Sequence, residues 1–512
     1  MIQHSTTTKE TMKEPSPVKI EYGVADLFPR VLIEFFLISA IVHGLNVLGP
    51  VFLSTQLGAS AAIVGLAGSM LGGGRMASSL PSGICVGWYG PKRVLPIGAF
   101  IAMCSVLLAG STGWIYTLPP VYNATNAINA TSTETTTSAS ASASNSQAAA
   151  QIIYIVSVLG VGFGFGFYFI GQHTFMSTTV ATKSRGLAFA CTGGTWRIAG
   201  IFFPIISGFL GKNLGLRLSI LTLAVFPVLA GTLIVICMPS RSVYRSRTDS
   251  LDSIVETKKE KEHQKQEQKK KKKRTKKNCC TLAYQFRSKL FRVGTFVALL
   301  SIVRSGREIL IPLVGLHLKQ DIVNISIGST ASYVCGVSMF PLSGIIMDRF
   351  GRKVSGSIAV FIFGIGFTLL GSSISFETFI AGCSVMGLGN GLSSGLVMTL
   401  GGDLAGVIEK KNRGPFLGVY KLVGDSGSLL GPVIAGSVVS GFGTSVSCFV
   451  IVGFAVVTLL WMIIVMPETR PVPSSGIPSD VVNADVASIF NKIEVGERND
   501  EEDDIEIVNV VV

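Results

Sequence analysis

Twelve apolar stretches, each about 20 residues long, punctuate the chain near 31–53, 60–84, 93–111, 151–173, 187–210, 217–238, 293–316, 328–347, 355–373, 378–400, 415–440 and 444–466. At 1.5 Å rise per residue such a stretch crosses the ~30 Å hydrocarbon layer of a bilayer as one α-helix. In lipid every backbone polar group has to be bonded internally, which leaves only helices and closed barrels. A barrel is excluded, because its strands are about 10 residues long and alternate in polarity. Only 14% of the 512 residues are charged, against roughly 25% in a soluble domain. The expected class is an all-α membrane protein with twelve transmembrane helices.

The chain is also duplicated. Residues 185–208 read RGLAFACTGGTWRIAGIFFPIISG and residues 413–436 read RGPFLGVYKLVGDSGSLLGPVIAG. Both begin Arg-Gly, and both place proline (Pro204, Pro432) and glycine (Gly208, Gly436) at matched positions. At one register the first copy has Arg197 and the second Asp425. Arg30, Ser39, Gly44 and Pro50 recur as Arg292, Ser301, Gly306 and Pro312, at an offset of 262. Gly83, Gly90 and Gly110 recur as Gly344, Gly351 and Gly371, at 261. The offset falls to about 228 after the third span, because loop 112–150 has no long counterpart. Two pseudo-symmetric six-helix halves follow: 30–239, with the outer loop 112–150, and 292–467. They are flanked by an N-terminal tail (1–29), a basic linker (240–291) and an acidic C-terminal tail (468–512) expected to be disordered.

The formal net charge is +13, and residues 258–277 (KKEKEHQKQEQKKKKKRTKK) supply most of the excess. A basic run between two spans reads as a solvated cytoplasmic loop that attracts anionic lipid headgroups, not as a nucleic-acid site. Lys92/Arg93, Lys183/Arg185, Arg349/Arg352/Lys353 and Lys410/Lys411/Arg413 fall in loops on the same side. The positive-inside rule then places both termini in the cytoplasm. Loop 112–150 falls outside; rich in Ser, Thr, Ala and Asn, it is expected to be disordered. It carries two Asn-Ala-Thr sequons, at Asn123 and Asn129, which suit a lumenal face and fit the plasma membrane or an endomembrane. Residues 1–29 contain no short apolar core with a cleavage site, so no removable leader is expected. The nine cysteines show no metal-ligand spacing, and neither metal nor cofactor is expected. Cys279 and Cys280, beside the basic run, are juxtamembrane candidates for palmitoylation, with two inert thiols as the alternative.

The loop after the eighth span reads GIIMDRFGRK, from Gly344 to Lys353. It resembles the loop signature of the major facilitator superfamily, Gly-x-x-x-Asp-Arg-x-Gly-Arg-Lys. The twelve spans, the duplication and the central linker extend the resemblance over residues 30–467. It implies a cytoplasmic gate built on Gly344, Asp348, Arg349, Gly351 and Arg352, with Asp403 completing the latch. The first half departs from the pattern: Gly87 replaces the aspartate, Trp88 and Pro91 the arginines, and Phe175 or Met176 the carboxylate. An asymmetric gate is therefore expected. GSLLGPVIAG (427–436) resembles the signature of the drug:proton antiporter-like branch, although the resemblance would place it in span five, which has AGIFFPIISG (199–208).

A charge at the bilayer centre costs about 2.5–3.5 kcal/mol on insertion scales, so interior charges pair or face water. The candidates are Arg75, Arg197, Arg304, Arg307, Glu308 and Asp425, with His43 and Asn46 on the same polar face. Glu34, one turn from Arg30, is expected to snorkel to the interface. Asp425 lies about 18 Å past Arg413 if helical, and Arg75 is its expected partner. Glu308 is expected to pair with Arg304 or Arg307. Arg197 has no evident acid, which points to an anionic solute group. His43 reads either as a helix contact or as a proton carrier. No GxxxxGK[ST] and no catalytic constellation occurs. The reading is a non-enzymatic, monomeric secondary transporter of a small organic solute working by alternating access, with proton coupling through Asp425 or Glu308. The alternatives are a facilitative carrier of an organic anion and a receptor or scaffold of the same fold.

Overall fold

The computed structural model describes residues 24–115, 137–179, 185–237, 287–406 and 413–466, all but a few turn residues helical. In the first half α1 runs Val24–Thr55, α2 Ala61–Tyr89, α3 Pro91–Ile115, α4 Thr137–Thr179 and α5 Arg185–Leu214. The sixth span is broken into α6 (Leu216–Thr222) and α7 (Val225–Cys237). The second half repeats the order with α8 (Arg287–His317), α9 (Ile322–Phe350) and α10 (Arg352–Gly371). Its tenth span is broken into α11 (Phe376–Ser393) and α12 (Leu396–Gly406), followed by α13 (Arg413–Phe442) and α14 (Thr444–Ile464).

Among the described residues, ten spans meet both the length and the hydropathy that a crossing needs. The two that fall short are α2 and α8, at 29 and 31 residues long enough to cross. α2 is diluted by glycine and serine, and α8 carries Arg304, Arg307 and Glu308 within five residues. Both pack on one side against the other half, α2 against α13 and α8 against α1 and α2, where small and polar residues fit.

Each half has its own apolar core. The first is built around Phe35, Phe52, Tyr154 and Tyr168, and it draws in Ile309, Leu313, Ile322 and Ile325 from α8 and α9. The second is built around Phe296, Phe363, Phe367, Phe379 and Phe416.

The duplication is visible in the turns. Gly90 and Gly351 sit at φ +78° and +91°, and Gly215 and Gly443 at +81° and +89°. Only glycine enters that region without strain, so the same turn chemistry appears at the same register in both halves.

Residues 137–150, expected within a disordered loop, are helical. Ile115 ends α3, and α4 begins at Thr137, so residues 137–150 extend the fourth span beyond the expected start. Ala and Ser tolerate a helix already nucleated by the span that follows. The extension is tied down: the side-chain amides of Gln147 and Gln151 donate to the Leu57 carbonyl at 3.1 and 2.9 Å. Asn123, Asn129, Cys279 and Cys280 lie outside the described residues, as do the basic run and the acidic tail.

The seam is tight near the α1–α2 and α8–α9 turns. A β-carbon on Gly65 would strike the Pro432 carbonyl and the Gly436 Cα, and one on Gly208 would strike Ser326. Gly65 with Gly436 and Ser326 with Gly208 are the same contact in the two halves, at offsets of 261 and 228. Lys212 of α5 pairs with Asp321, the N-cap of α9, at 3.3 Å. On the opposite face, which carries the basic loops, Gly83, Gly87 and Gly418 have no atom within 4 Å of a β-position.

Candidate functional site

α1, α5, α8 and α9 converge on a small cavity lined by His43, Asn46, Pro204, Arg307, Glu308 and Tyr333, among others, with ≈ 20 Å³ of open space. That is room for about one water molecule. Asn46 Nδ2 donates to Glu308 Oε2 at 3.2 Å. These residues stand 262 apart, the offset of the repeat, so the bond joins equivalent positions of the two halves. Glu308 Oε1 is 4.0 Å from Arg307 Nη2, and the Glu308 side chain is 35% exposed although it lies mid-span.

Arg307 is only 4% exposed at its side chain. Its Nη1 donates to Ser332 Oγ at 2.7 Å, and its guanidinium lies 5.1 Å from the Tyr333 ring centroid. Arg304 donates through Nε to Asn390 Oδ1 at 3.1 Å and makes no ion pair within 4.0 Å with Glu308. Of the two expected partners for Glu308, the structure brings up Arg307. One turn on an α-helix separates 304 from 308, but Asn390 of α11 offers Arg304 a neutral acceptor with better geometry.

His43 is buried, with Nε2 3.0 Å from the Trp196 carbonyl oxygen, to which it donates. Its ring lies 4.5 Å from Trp196 and 4.9 Å, edge-on, from Tyr333. Arg197, 9% exposed, donates through Nη1 to the Gly193 carbonyl at 3.1 Å and lies 4.7 Å above the Phe340 ring. Across the seam from α4, Lys421 places Nζ 4.5 Å from the Phe169 ring.

Two expectations fail here. No ion pair within 4.0 Å joins Arg75 to Asp425 among the described residues, and Arg75 Nε has no hydrogen-bond partner. α2 and α13 stay in contact from Gly65 and Gly436 to Gly72 and Ser428, yet the two charges form no ion pair across that contact. Glu34 does not snorkel: it is 1% exposed and its Oε1 has no partner. α4 covers it, with Tyr168 stacked on the adjoining Phe35 at 6.4 Å.

A second cluster sits on the basic-loop face. Arg352 Nε lies 3.1 Å from Asp403 Oδ2, and its Nη1 lies 3.7 Å from Asp348 Oδ1 and donates to the Met347 carbonyl at 3.0 Å. Asp403 is mostly buried and Asp348 is 80% exposed, so the Asp403 contact is the stronger one. It ties the start of α10 to α12. Gly351 makes the turn at positive φ, Gly344 lies about two turns of helix before it, and Arg349 stands in the last turn of α9. At the matching place in the first half stand exposed Gly87, Trp88 and Tyr89, with Phe175 and Met176 buried.

Sequence reasoning passed over Lys421, although a lysine one turn before Asp425 in an apolar run is a visible signal. Asn390, Ser332, Tyr333, Trp196 and Phe340 carried no such signal. Polar and aromatic residues are common in spans, and only packing brings these to the arginines.

Paired six-helix halves with their charges gathered at the seam define a polytopic membrane protein of the carrier type. A family model of the Major Facilitator Superfamily matches residues 31–406 and 297–495, and the chain belongs to that superfamily, whose members are transporters and not enzymes. It is 30% identical over 112 residues to the MFS-type transporter TwmF of Talaromyces wortmannii, covering 22% of this chain and 20% of that protein. It is 28% identical over 136 residues to a triacylglyceride transporter of Mycobacteroides abscessus, covering 27% and 25%. The chain thus spans 20% and 25% of the lengths of these relatives. Among solved structures it resembles the nucleoside transporter NupG (TM-score 0.63, 13% identity, 86% of this chain and 100% of that one). It resembles a D-xylose–proton symporter similarly (TM-score 0.61, 13% identity, 87% and 99%). At that identity the likeness is one of fold.

Proposed function

We propose that the protein is a secondary active transporter that moves a small organic solute by alternating access. The Asn46–Glu308 hydrogen bond carries this reading. It links equivalent positions in the two halves, so the polar centre lies at the pseudo-twofold axis. A site on that axis faces either side of the membrane when the halves rock, without being rebuilt. The seam is tight at Gly65–Gly436 and Gly208–Ser326. The basic loops lie at the other end of the helices, which the positive-inside rule assigns to the cytoplasm. The tight contacts are then the outer gate, shut in this arrangement.

Glu308 is the coupling carboxylate of this reading. It is partly exposed, holds Arg307 only at 4.0 Å and reaches across the seam to Asn46. Protonation removes the charge that engages both neighbours and loosens the contact between halves. Asp425, one turn from Lys421, serves the charge balance at the α2–α13 edge. Arg352 and Asp403 form the cytoplasmic latch on the second half. The Gly/Pro segment 427–436 supports a place in the drug:proton antiporter-like branch. The basic linker meets anionic headgroups, and one chain contains the whole site, which supports a working monomer.

The test is an untargeted metabolite comparison of cells with and without the protein at two external pH values, repeated with Glu308→Gln. A solute whose cellular level depends on the protein and on pH, with the pH dependence lost in the variant, is the expected result. Identical metabolite profiles with and without the protein sink the transport reading.

A further inference from the structure

The interior cations have few close acids: Lys421 has Asp425 and Arg304 has Glu308 within electrostatic reach, but neither makes an ion pair within 4.0 Å among the described residues. Arg197 rests on Phe340 and a backbone carbonyl, Lys421 on Phe169, and Arg304 on the neutral Asn390. Arg307 has Tyr333 and Ser332 as its close partners and Glu308 only at 4.0 Å. Arg197, Arg304 and Arg307 lie within one another's electrostatic reach. A guanidinium keeps its proton in a protein, so three like charges face one carboxylate in a site with little water. Such a cluster is unfavourable until an anion joins it. The Nε atoms of Arg197 and Arg307, both nine-tenths or more buried, have no hydrogen-bond partner.

The walls narrow the class further. Trp196, Tyr333, Phe340 and His43 present ring faces and edges beside the arginines. A neutral polyol would need several uncommitted amides or hydroxyls, but Asn46 and Asn390 are already bonded to Glu308 and Arg304. A cationic solute would add to the existing repulsion.

We propose that the solute is an organic anion, taken by its carboxylate or an equivalent planar oxyanion between Arg197 and Arg307. This inference rests on the transport reading above. Without solute, the two guanidinium groups rest on aromatic faces; the anion draws them off and satisfies their free N–H groups in the bidentate geometry arginine favours. The rings left behind flank the apolar body of the solute. Lys421, exposed nearer the basic-loop face, meets the anion first.

The experiment uses the full-length protein in liposomes loaded with a ¹³C-labelled yeast metabolite extract split by ion exchange into anionic, neutral and cationic pools. Efflux is followed by mass spectrometry. Organic solutes should leave from the anionic pool alone. Arg197→Gln and Arg307→Gln should each slow that efflux by about 10- to 100-fold, the worth of one charge-assisted hydrogen bond. Arg197→Lys and Arg307→Lys, which keep the charge, should slow it less, and this ordering separates a binding role from a folding defect. Efflux from the neutral or cationic pool, or of inorganic phosphate alone, overturns the anion inference and leaves transport standing. No efflux from any pool overturns the transport reading as well.

Discussion

The two halves share a frame and differ in chemistry. Gly90 and Gly351 make the same turn, Gly215 and Gly443 another, and the Gly65–Gly436 seal has its mate in Gly208–Ser326. At the centre the likeness ends. Arg304, Arg307 and Glu308 of α8 correspond to Val42, Leu45 and Asn46 of α1 at the offset of 262. On the basic-loop face Asp348, Arg352 and Asp403 face no charged counterparts in the first half. Positions where backbone approaches backbone, or where φ is positive, admit few residue types and stay alike. Positions at the polar centre admit many and have diverged. The second half supplies Arg304, Arg307, Glu308 and the latch, and the first half answers them with Asn46, neutral surfaces and, on α5, Arg197.

The shared seal should be the most sensitive part. Gly65→Leu and Gly208→Leu should both abolish transport, because overpacking a close helix contact costs about 1–3 kcal/mol in the closed state. Thiol accessibility of cysteines placed near Pro432 and Pro204 would report the opened outer face. A large effect at one glycine and none at the other would break the symmetry of the seal. Next comes the latch: Asp403→Asn should lower the thermal midpoint, since a charge-assisted hydrogen bond contributes about 1.5–3 kcal/mol. Met176→Asn, at the first-half counterpart, should act only through packing and show no salt dependence.

Asn46→Ala should have an intermediate effect, removing the one hydrogen bond from the first half to Glu308 and weakening transport by about 10-fold. Its readout is the pH profile of flux, which should move for Asn46→Ala and stay in place for Val42→Ala. The smallest effect belongs to Asp348→Asn. This carboxylate is 80% exposed, and an exposed pair contributes about 0–1 kcal/mol. Gly87→Asp should be silent, because no arginine stands at the matching positions. A gain of function there would show that the first half retains a hidden gate.

Several features of the site could be read ahead of the structure. The offset of 262 already made Asn46 and Glu308 equivalent positions, and the family resemblance grouped Asp348 and Arg352 with Asp403. Other features could not. Arg304 and Arg307 are equally plausible partners of Glu308 along one helix, and the choice falls to Asn390 and Ser332 on other helices. That Arg75 and Asp425 make no ion pair could not be read from their depth along α2 and α13, and the burial of Glu34 follows from how α4 lies over α1. The aromatic faces beneath Arg197 and Lys421 belong to helices far away in the chain.

Span number, span length, the duplication and the turn positions were determined by the sequence alone, because they depend on local hydropathy and on backbone sterics within a few residues. Which charges meet, which rest on aromatic rings and which face of the seam is shut were decided only by the tertiary structure. Each depends on helix rotation and crossing, and these are set by close contacts such as Gly65–Gly436, between residues hundreds of positions apart.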